Sequence, residues 1–311
     1  MGNSQALTKL NHLNALRAFE SVSRHHSFTL AAEELGVTTA AVSQLIRSLE
    51  HALGVTLFNR QKGRTGQLEL SDAGRIALPD IRTGFDYLRS GLTSIQRIGD
   101  ASQINIAVSP AFASKWLLPR LEYFRKLFPS AEIQIQTNPG IDDFVLNSID
   151  LGIRYGLGEW DNLTSERLME EQLLLVCAPS YLENHQEEIN SKNFTKLTLL
   201  HDTSLRGTNV IPEWADLAIS NGILLSDTTP SIKINSPDSV LQACIDGQGV
   251  ALARSVLASQ DILSGKLVRL RIIEPIQMDT AYYVVYRSGF EKLPKVKHFC
   301  EWLKQQVNLD I

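Results

Sequence analysis

Cysteine is scarce: three residues in 311, odd in number and far apart. That excludes a disulfide framework. Cys177 lies in an apolar stretch (LLLVCAP) and Cys300 on the apolar side of a C-terminal helical pattern, so with Cys244 they read as buried free thiols. An oxidation-driven switch is the alternative. Long apolar runs are also missing; none approaches the roughly 20 residues of a membrane span. The opening MGNSQALTKLNHLN has no apolar core of a secretory signal. The expectation is a cytoplasmic protein with no membrane partner. Catalytic signatures are absent too: there is no Gly-x-Ser-x-Gly elbow, phosphate loop, zinc-ligand spacing or dinucleotide fingerprint. The seven histidines are scattered, and the one adjacent pair, His25–His26, reads as solvated. No enzyme, cofactor or metal site is expected.

What the chain does have is an uneven charge. Its formal net charge is −4. Met1 to Leu68 carries seven Lys or Arg against four acids, a balance of +3, which leaves −7 for the remainder. A mildly basic head on an acidic body fits a protein whose head alone meets nucleic acid. The length suggests about two domains, each large enough for a core.

The head contains the run Phe28 to Arg47, FTLAAEELGVTTAAVSQLIR. Ala31, Ala32 and Leu35 share one face of a short helix. Gly36 follows where a tight turn needs positive φ. Val37 is expected to pack inward, and Thr38 or Thr39 to cap a second helix that buries Val42, Leu45, Ile46 and Leu49. The opposite face carries Thr38, Thr39, Ala40, Ser43, Gln44 and Arg47. Short polar groups with one long cation suit base edges and phosphates in a major groove. Thr38, Thr39, Ser43 and Gln44 are the candidate base readers. A bracing helix precedes, over His12–Arg24. Gly54 ends the second helix, and Val55, Leu57 and Phe58 return the chain to the core. RQKGRTGQLEL (Arg60–Leu70) alternates and holds two glycines, as a hairpin wing would. Arg47, Arg60, Lys62 and Arg64 are then placed for phosphates.

The stretch LNALRAFESVSRHHSFTLAAEELGVTTAAVSQLIRSLEHALGVTLFNR, Leu13 to Arg60, resembles the N-terminal signature of LysR-type transcriptional regulators. It is most similar to the branch of glycine-cleavage activators and β-lactamase regulators. WLLPRL (Trp116–Leu121), IRYGLGEW (Ile153–Trp160), TLLHD (Thr198–Asp202) and GQGVALA (Gly247–Ala253) fit the same branch. The family often has Gln where Thr39 stands, and Arg or His followed by Gln where Gln44 and Leu45 stand. The base readers are thus partly replaced, and no operator sequence carries over. The wing is also about three residues longer than is common.

The resemblance implies an α+β multidomain chain. A winged helix-turn-helix over residues 11–68 (motif 28–47) would be followed by a linker and dimerisation helix over 71–100. An effector-binding domain of periplasmic-binding-protein type would occupy 101–311. Its two α/β lobes would span about 102–178 with 278–311, and 179–277, with crossings near Ala178–Pro179 and Arg271–Met278. It implies double-stranded promoter DNA and a small-molecule effector as partners, and a homotetramer built as a dimer of dimers.

The residues agree in outline. SDAGRIALPDIRTGFDYLRSGLTSIQRIG reads as one long helix with Ser71 as N-cap and Pro79 inside. Its stripe of Ile76, Leu78, Ile81, Phe85, Leu88, Leu92 and Ile95 has no core of its own to enter. In the family the same helix of a second subunit covers it, packed antiparallel. From Ser102 strands alternate with helices: INIAVS, a helix over Phe112–Phe128, AEIQIQT, a short helix over Ile141–Ser148, then DLGIRYG. That order implies a parallel sheet. Ligands of such sheets bind beyond the strands' carboxyl ends. This points to Ser109, Ala111 and Phe112 after the first strand, Arg154 at the end of the third, and His201, Ser236 and Tyr282 from the rest. A constitutive DNA binder with a vestigial cleft, and an enzyme with a borrowed DNA-binding head, are the competing readings.

Overall fold

In a computed structural model the chain divides into two compact units, one ending at Ile95 and one beginning at Gln96. The structure describes residues 12–60, 68–97, 103–137, 144, 148–205 and 211–309.

The first unit opens with three helices, α1 (Leu13–His25), α2 (Phe28–Leu35) and α3 (Thr39–Leu53). Ser27 caps α2, its Oγ accepting from Leu30 N at 3.3 Å, and Thr38 caps α3, its Oγ1 accepting from Ala41 N at 3.2 Å. Gly36 closes α2 at φ +68°, a left-handed turn that L side chains resist. Phe19, Val22, Ala31, Ala32, Val42, Ile46 and Leu49 fill the space between the helices. Two expectations fail here. Val37 is 45% exposed and Val55 is 43% exposed. Val37 closes the turn with its amide, bonded to Ala32 O at 3.0 Å, and not with its side chain. Leu57 and Phe58 do return to the core.

β1 (Phe58–Arg60) and β2 (Leu68–Leu70) pair antiparallel as the base of a hairpin. Between them, Lys62 and Arg64 lie outside the described residues. Glu50 fastens the strand entry, accepting from Leu57 N at 2.7 Å and Phe58 N at 3.3 Å. The linker helix α4 (Asp72–Arg97) runs through Pro79 unbroken. Its first turns dock on the unit through Leu78 and Ile81. Further along, Leu88, Leu92 and Ile95 are 51, 64 and 67% exposed.

The second unit holds one sheet of nine described strands. β3 (Gln103–Val108) is followed by a broken helix, α5. Its pieces are Pro110–Phe112, a π segment Ala113–Leu117, a 3₁₀ turn Leu118–Arg120 and a final α turn Leu121–Leu127. The sequence predicts a regular helix here. Pro119 supplies no amide to the ladder, and the N–H of Leu118 reaches five residues back to Ala113 O. β4 (Glu132–Thr137) and β5 (Leu151–Gly156) both run parallel to β3. Of the helix expected over Ile141–Ser148, only Phe144 and Ser148 are described.

β6 (Thr164–Cys177) is long. It leads through α6 (Pro179–Asn184) and α7 (Gln186–Asn190) to β7 (Leu199–Asp202), α8 (Trp214–Asn221), β8 (Ser231–Ile234) and α9 (Pro237–Ile245). Then come β9 (Val250–Arg254), α10 (Ser255–Leu263), β10 (Val268–Arg269), β11 (Ile276–Tyr286) and α11 (Pro294–Leu309). Parallel β8, β7 and β9 form a second half of the sheet. β6 and β11 join the halves: Thr164–Glu170 pairs with β11, and Leu173–Val176 pairs with β9. The first changeover therefore falls inside β6, upstream of Ala178–Pro179. The second coincides with a break in register between Gln277 and Ala281.

Candidate nucleic-acid interface and ligand cleft

α3 turns Val42, Ile46 and Leu49 inward, at 0, 3 and 2% exposure. Helical spacing then sets Thr39, Ala40, Ser43, Gln44 and Arg47 on the opposite side. Thr38, Thr39, Ala40, Gln44 and Arg47 are exposed and Ser43 is half-buried. Thr38 also serves as the cap. Arg47 bonds back to its own helix, Nε donating to Ser43 O at 3.2 Å. The side chain of Arg60 falls outside the described residues, as Lys62 and Arg64 do.

Sequence reasoning misses what fixes α2 beneath this face. Glu34 accepts from Ser21 Oγ at 2.9 Å and Arg24 Nη2 at 2.7 Å, and contacts His25 Nε2 at 2.6 Å. His25 is thus a bonded residue, not the solvated one expected. The guanidinium holds the Glu34 carboxyl down at about 2. An acid in the last turn of a short helix, with an Arg-His pair ending the helix before it, is the signal that was available.

In the second unit a cleft of about 550 Å³ opens between the sheet halves. Ser109, Pro110 and Ala111 after β3, and Arg154 and Tyr155 at the end of β5, form one wall. Asn235, Ser236, Pro237 and Asp238, at the start of α9, form the facing wall with Ser204, Leu205 and Arg254. Of the sequence candidates, Ser109, Ala111, Arg154 and Ser236 line this space. Ser109 caps its helix, Oγ accepting from Phe112 N at 3.3 Å. Ser236 Oγ accepts from no first-turn backbone amide of α9; it donates to Asp238 Oδ1 and accepts from Ser239 Oγ at 3.1 Å.

Phe112, Tyr282 and His201 are placed elsewhere. Phe112 and Tyr282 are 1 and 2% exposed and meet as tilted rings at 4.9 Å; Trp116 stacks on Phe112 at 5.1 Å and Tyr155 tilts against Tyr282 at 5.1 Å. They belong to the packed core. Their apolar rings find more contact in the core than on a polar wall. His201 faces a separate pocket of about 150 Å³ with Glu213, Trp214 and Lys233. Burial, aided by the Lys233 charge, pushes its imidazole below the usual range.

Arg254 and Glu171 are the residues that sequence reasoning passed over. Arg254 ends an apolar strand (VALAR) and is 9% exposed. Its guanidinium lies over the Tyr155 ring at 4.8 Å, with Asp202 at 4.0 Å. Glu171, fully buried where β6 changes halves, accepts from Ser255 Oγ at 2.6 Å and Val256 N at 3.1 Å, holding the first turn of α10. Burial raises its pKa. All three thiols are also pushed up by burial, to about 12, which leaves them little thiolate.

Comparison with known proteins covers both units. The family described as "Bacterial regulatory helix-turn-helix protein, lysR family" matches residues 13–75, and "LysR substrate binding domain" matches 97–308. The chain is 36% identical over 295 residues to the glycine cleavage system transcriptional activator of Escherichia coli K12, covering 95% of this chain and 93% of that one. It is 31% identical to the transcriptional activator AmpR of Citrobacter koseri, covering 94 and 96%. Vibrio fischeri DarR, solved in complex with DNA, shares the fold at 17% identity and a TM-score of 0.56, covering 94 and 98%. No helix among the described residues is long and apolar enough to cross a membrane. The relatives are regulators and not enzymes. The chain belongs to the LysR family of transcription regulators, with a DNA-binding helix-turn-helix unit and an effector-binding substrate domain.

Proposed function

We propose that this regulator reads a two-fold-related operator with paired copies of α3 and takes its instruction from a small molecule in the cleft between the sheet halves. The observation that carries this is the exposed polar face of α3, set on a helix that buries Val42, Ile46 and Leu49 on its other side. Thr38, Thr39, Ser43 and Gln44 address bases; Arg47, Arg60, Lys62 and Arg64 address phosphates. The exposed stripe of α4 supports pairing of subunits, and the pairs assemble further into a dimer of dimers in the cytoplasm. Two copies related by a dyad present two recognition helices to two half-sites. A ligand that prefers one arrangement of the cleft shifts the population of the two halves, and through it the spacing of the heads and the bend in the DNA.

Genomic footprinting of the intact protein, followed by footprints on its sites across a metabolite panel, tests this. Expected are palindromic sites and at least one metabolite that changes the footprint. Sites without dyad symmetry would remove the paired-head reading, and footprints indifferent to every compound would leave a constitutive binder.

A further inference from the structure

We infer that Arg254 is the ligand-recognising cation of the cleft, and that the molecule it selects carries a carboxylate. The inference rests on the cleft being the effector site and adds what the effector must look like.

A guanidinium has five N–H donors in a planar fork and no acceptor. Burying it is costly unless those donors are taken up. Arg254 is 9% exposed, yet its Nε has no partner among the described residues. Its nearest carboxylate, Asp202, stands at 4.0 Å, beyond hydrogen-bonding distance. Tyr155 covers one face of the fork from 4.8 Å, which leaves the in-plane donors for an acceptor. An acceptor with two oxygens in one plane matches that fork.

The surroundings point to the same partner. Among the groups lining the cleft, the one carboxylate, Asp238, already takes the Ser236 hydroxyl. α9, nine residues long, begins at the same wall, and Ser236 does not cap its first-turn amides. A helix start without a side-chain cap favours an anion beside it. The volume of about 550 Å³ suits a metabolite and not a polymer.

The test uses the full-length protein at constant ionic strength. Thermal shift and calorimetry are run with C2–C8 mono- and dicarboxylates and α-amino acids, each beside its uncharged amide, and with inorganic phosphate. Expected is at least one carboxylate with a saturable shift, an amide at least about tenfold weaker, and no saturable shift from phosphate. Arg254→Gln should weaken that carboxylate at least about 30-fold, and Arg254→Lys by less. The free Arg254→Gln protein should melt close to the wild type, because it loses a buried cation whose Nε has no hydrogen-bond partner among the described residues. The inference falls if amides or phosphate bind as well as carboxylates, or if no carboxylate binds the wild type. It falls equally if Arg254→Gln melts far lower yet keeps the preference, which marks a structural cation. The carboxylate-against-amide comparison needs no variant and stands if Arg254→Gln does not fold. A neutral compound that alters the operator footprint would sink this inference while leaving the sensing role intact; silence from every compound would count against the sensing role itself.

Discussion

Individual residues set the chemistry of the head. Gln44 is exposed on α3 and offers one donor pair and one acceptor to a base edge. Gln44→Ala should relax preference at one position of the operator, at a cost of about 1–3 kcal/mol, in a binding assay over single-base variants. Arg47→Ala should weaken all sequences alike and lower the salt slope by about one. Unchanged selectivity in the first variant would move the reading face elsewhere. Glu34 makes a pH prediction. Its folded pKa of about 2 lies below the ordinary 4.5, so its contribution is complete above about pH 4.5 and is lost as pH falls toward 2. With its side chain 39% exposed, solvent screening keeps that contribution below about 1 kcal/mol. Glu34→Gln should flatten the acid limb of the head's stability curve over that window and change nothing at pH 8 beyond a small constant offset.

At the scale of elements, α4 joins two tasks. Its first turn is clamped: a Cβ on Gly74 would stand 2.4 Å from Leu57 O, a backbone atom that cannot step aside cheaply. Gly74→Ala should therefore destabilise the unit by about 1–3 kcal/mol in chemical denaturation. Its later turns expose the stripe. Leu88→Glu with Leu92→Glu should lower the mass by light scattering to that of a smaller assembly, with the fold retained by circular dichroism; an unchanged mass would show that subunits meet elsewhere. The helices of the head were legible in the sequence because period-3.6 patterning, hydroxyl caps and left-handed glycines all fell in register over Leu13–Gly54. The first half of β6 was not. TSERLMEE is polar and charged, and it is a strand because β11 pairs with it along its length, not because its residues favour one. Part of the cleft wall was read correctly from the rule for strand ends. Phe112, Tyr282 and His201 were misplaced because that rule locates backbone and not the direction of a side chain. Arg254 escaped notice because a lone cation closing an apolar strand looks like a strand boundary until its surroundings are known.

For the whole molecule, the two sheet halves are tied by more than strands. Lys115 on α5 donates to Asp261 on α10 at 2.8 Å, with side chains 16 and 9% exposed. Asp261→Ala leaves the ammonium without its partner and should cost about 3 kcal/mol; Lys115→Met with Asp261→Leu should recover most of that. A double variant no better than the single would mean that the pair is not coupled. The bridge spans the two halves, so its loss should also change ligand affinity by calorimetry without touching the cleft wall.

The changeover strands carry a mechanical consequence. Between Gln277 and Ala281 the register advances four residues on β11 against two, Gln172 to Glu170, on β6. Such a bulge sharpens local coiling of the ribbon. A ribbon of two bonded strands strongly resists being stretched or sheared, yet it can be wound or unwound by a few degrees. Winding or unwinding at this bulge is therefore one soft route by which the two sheet halves can turn against each other.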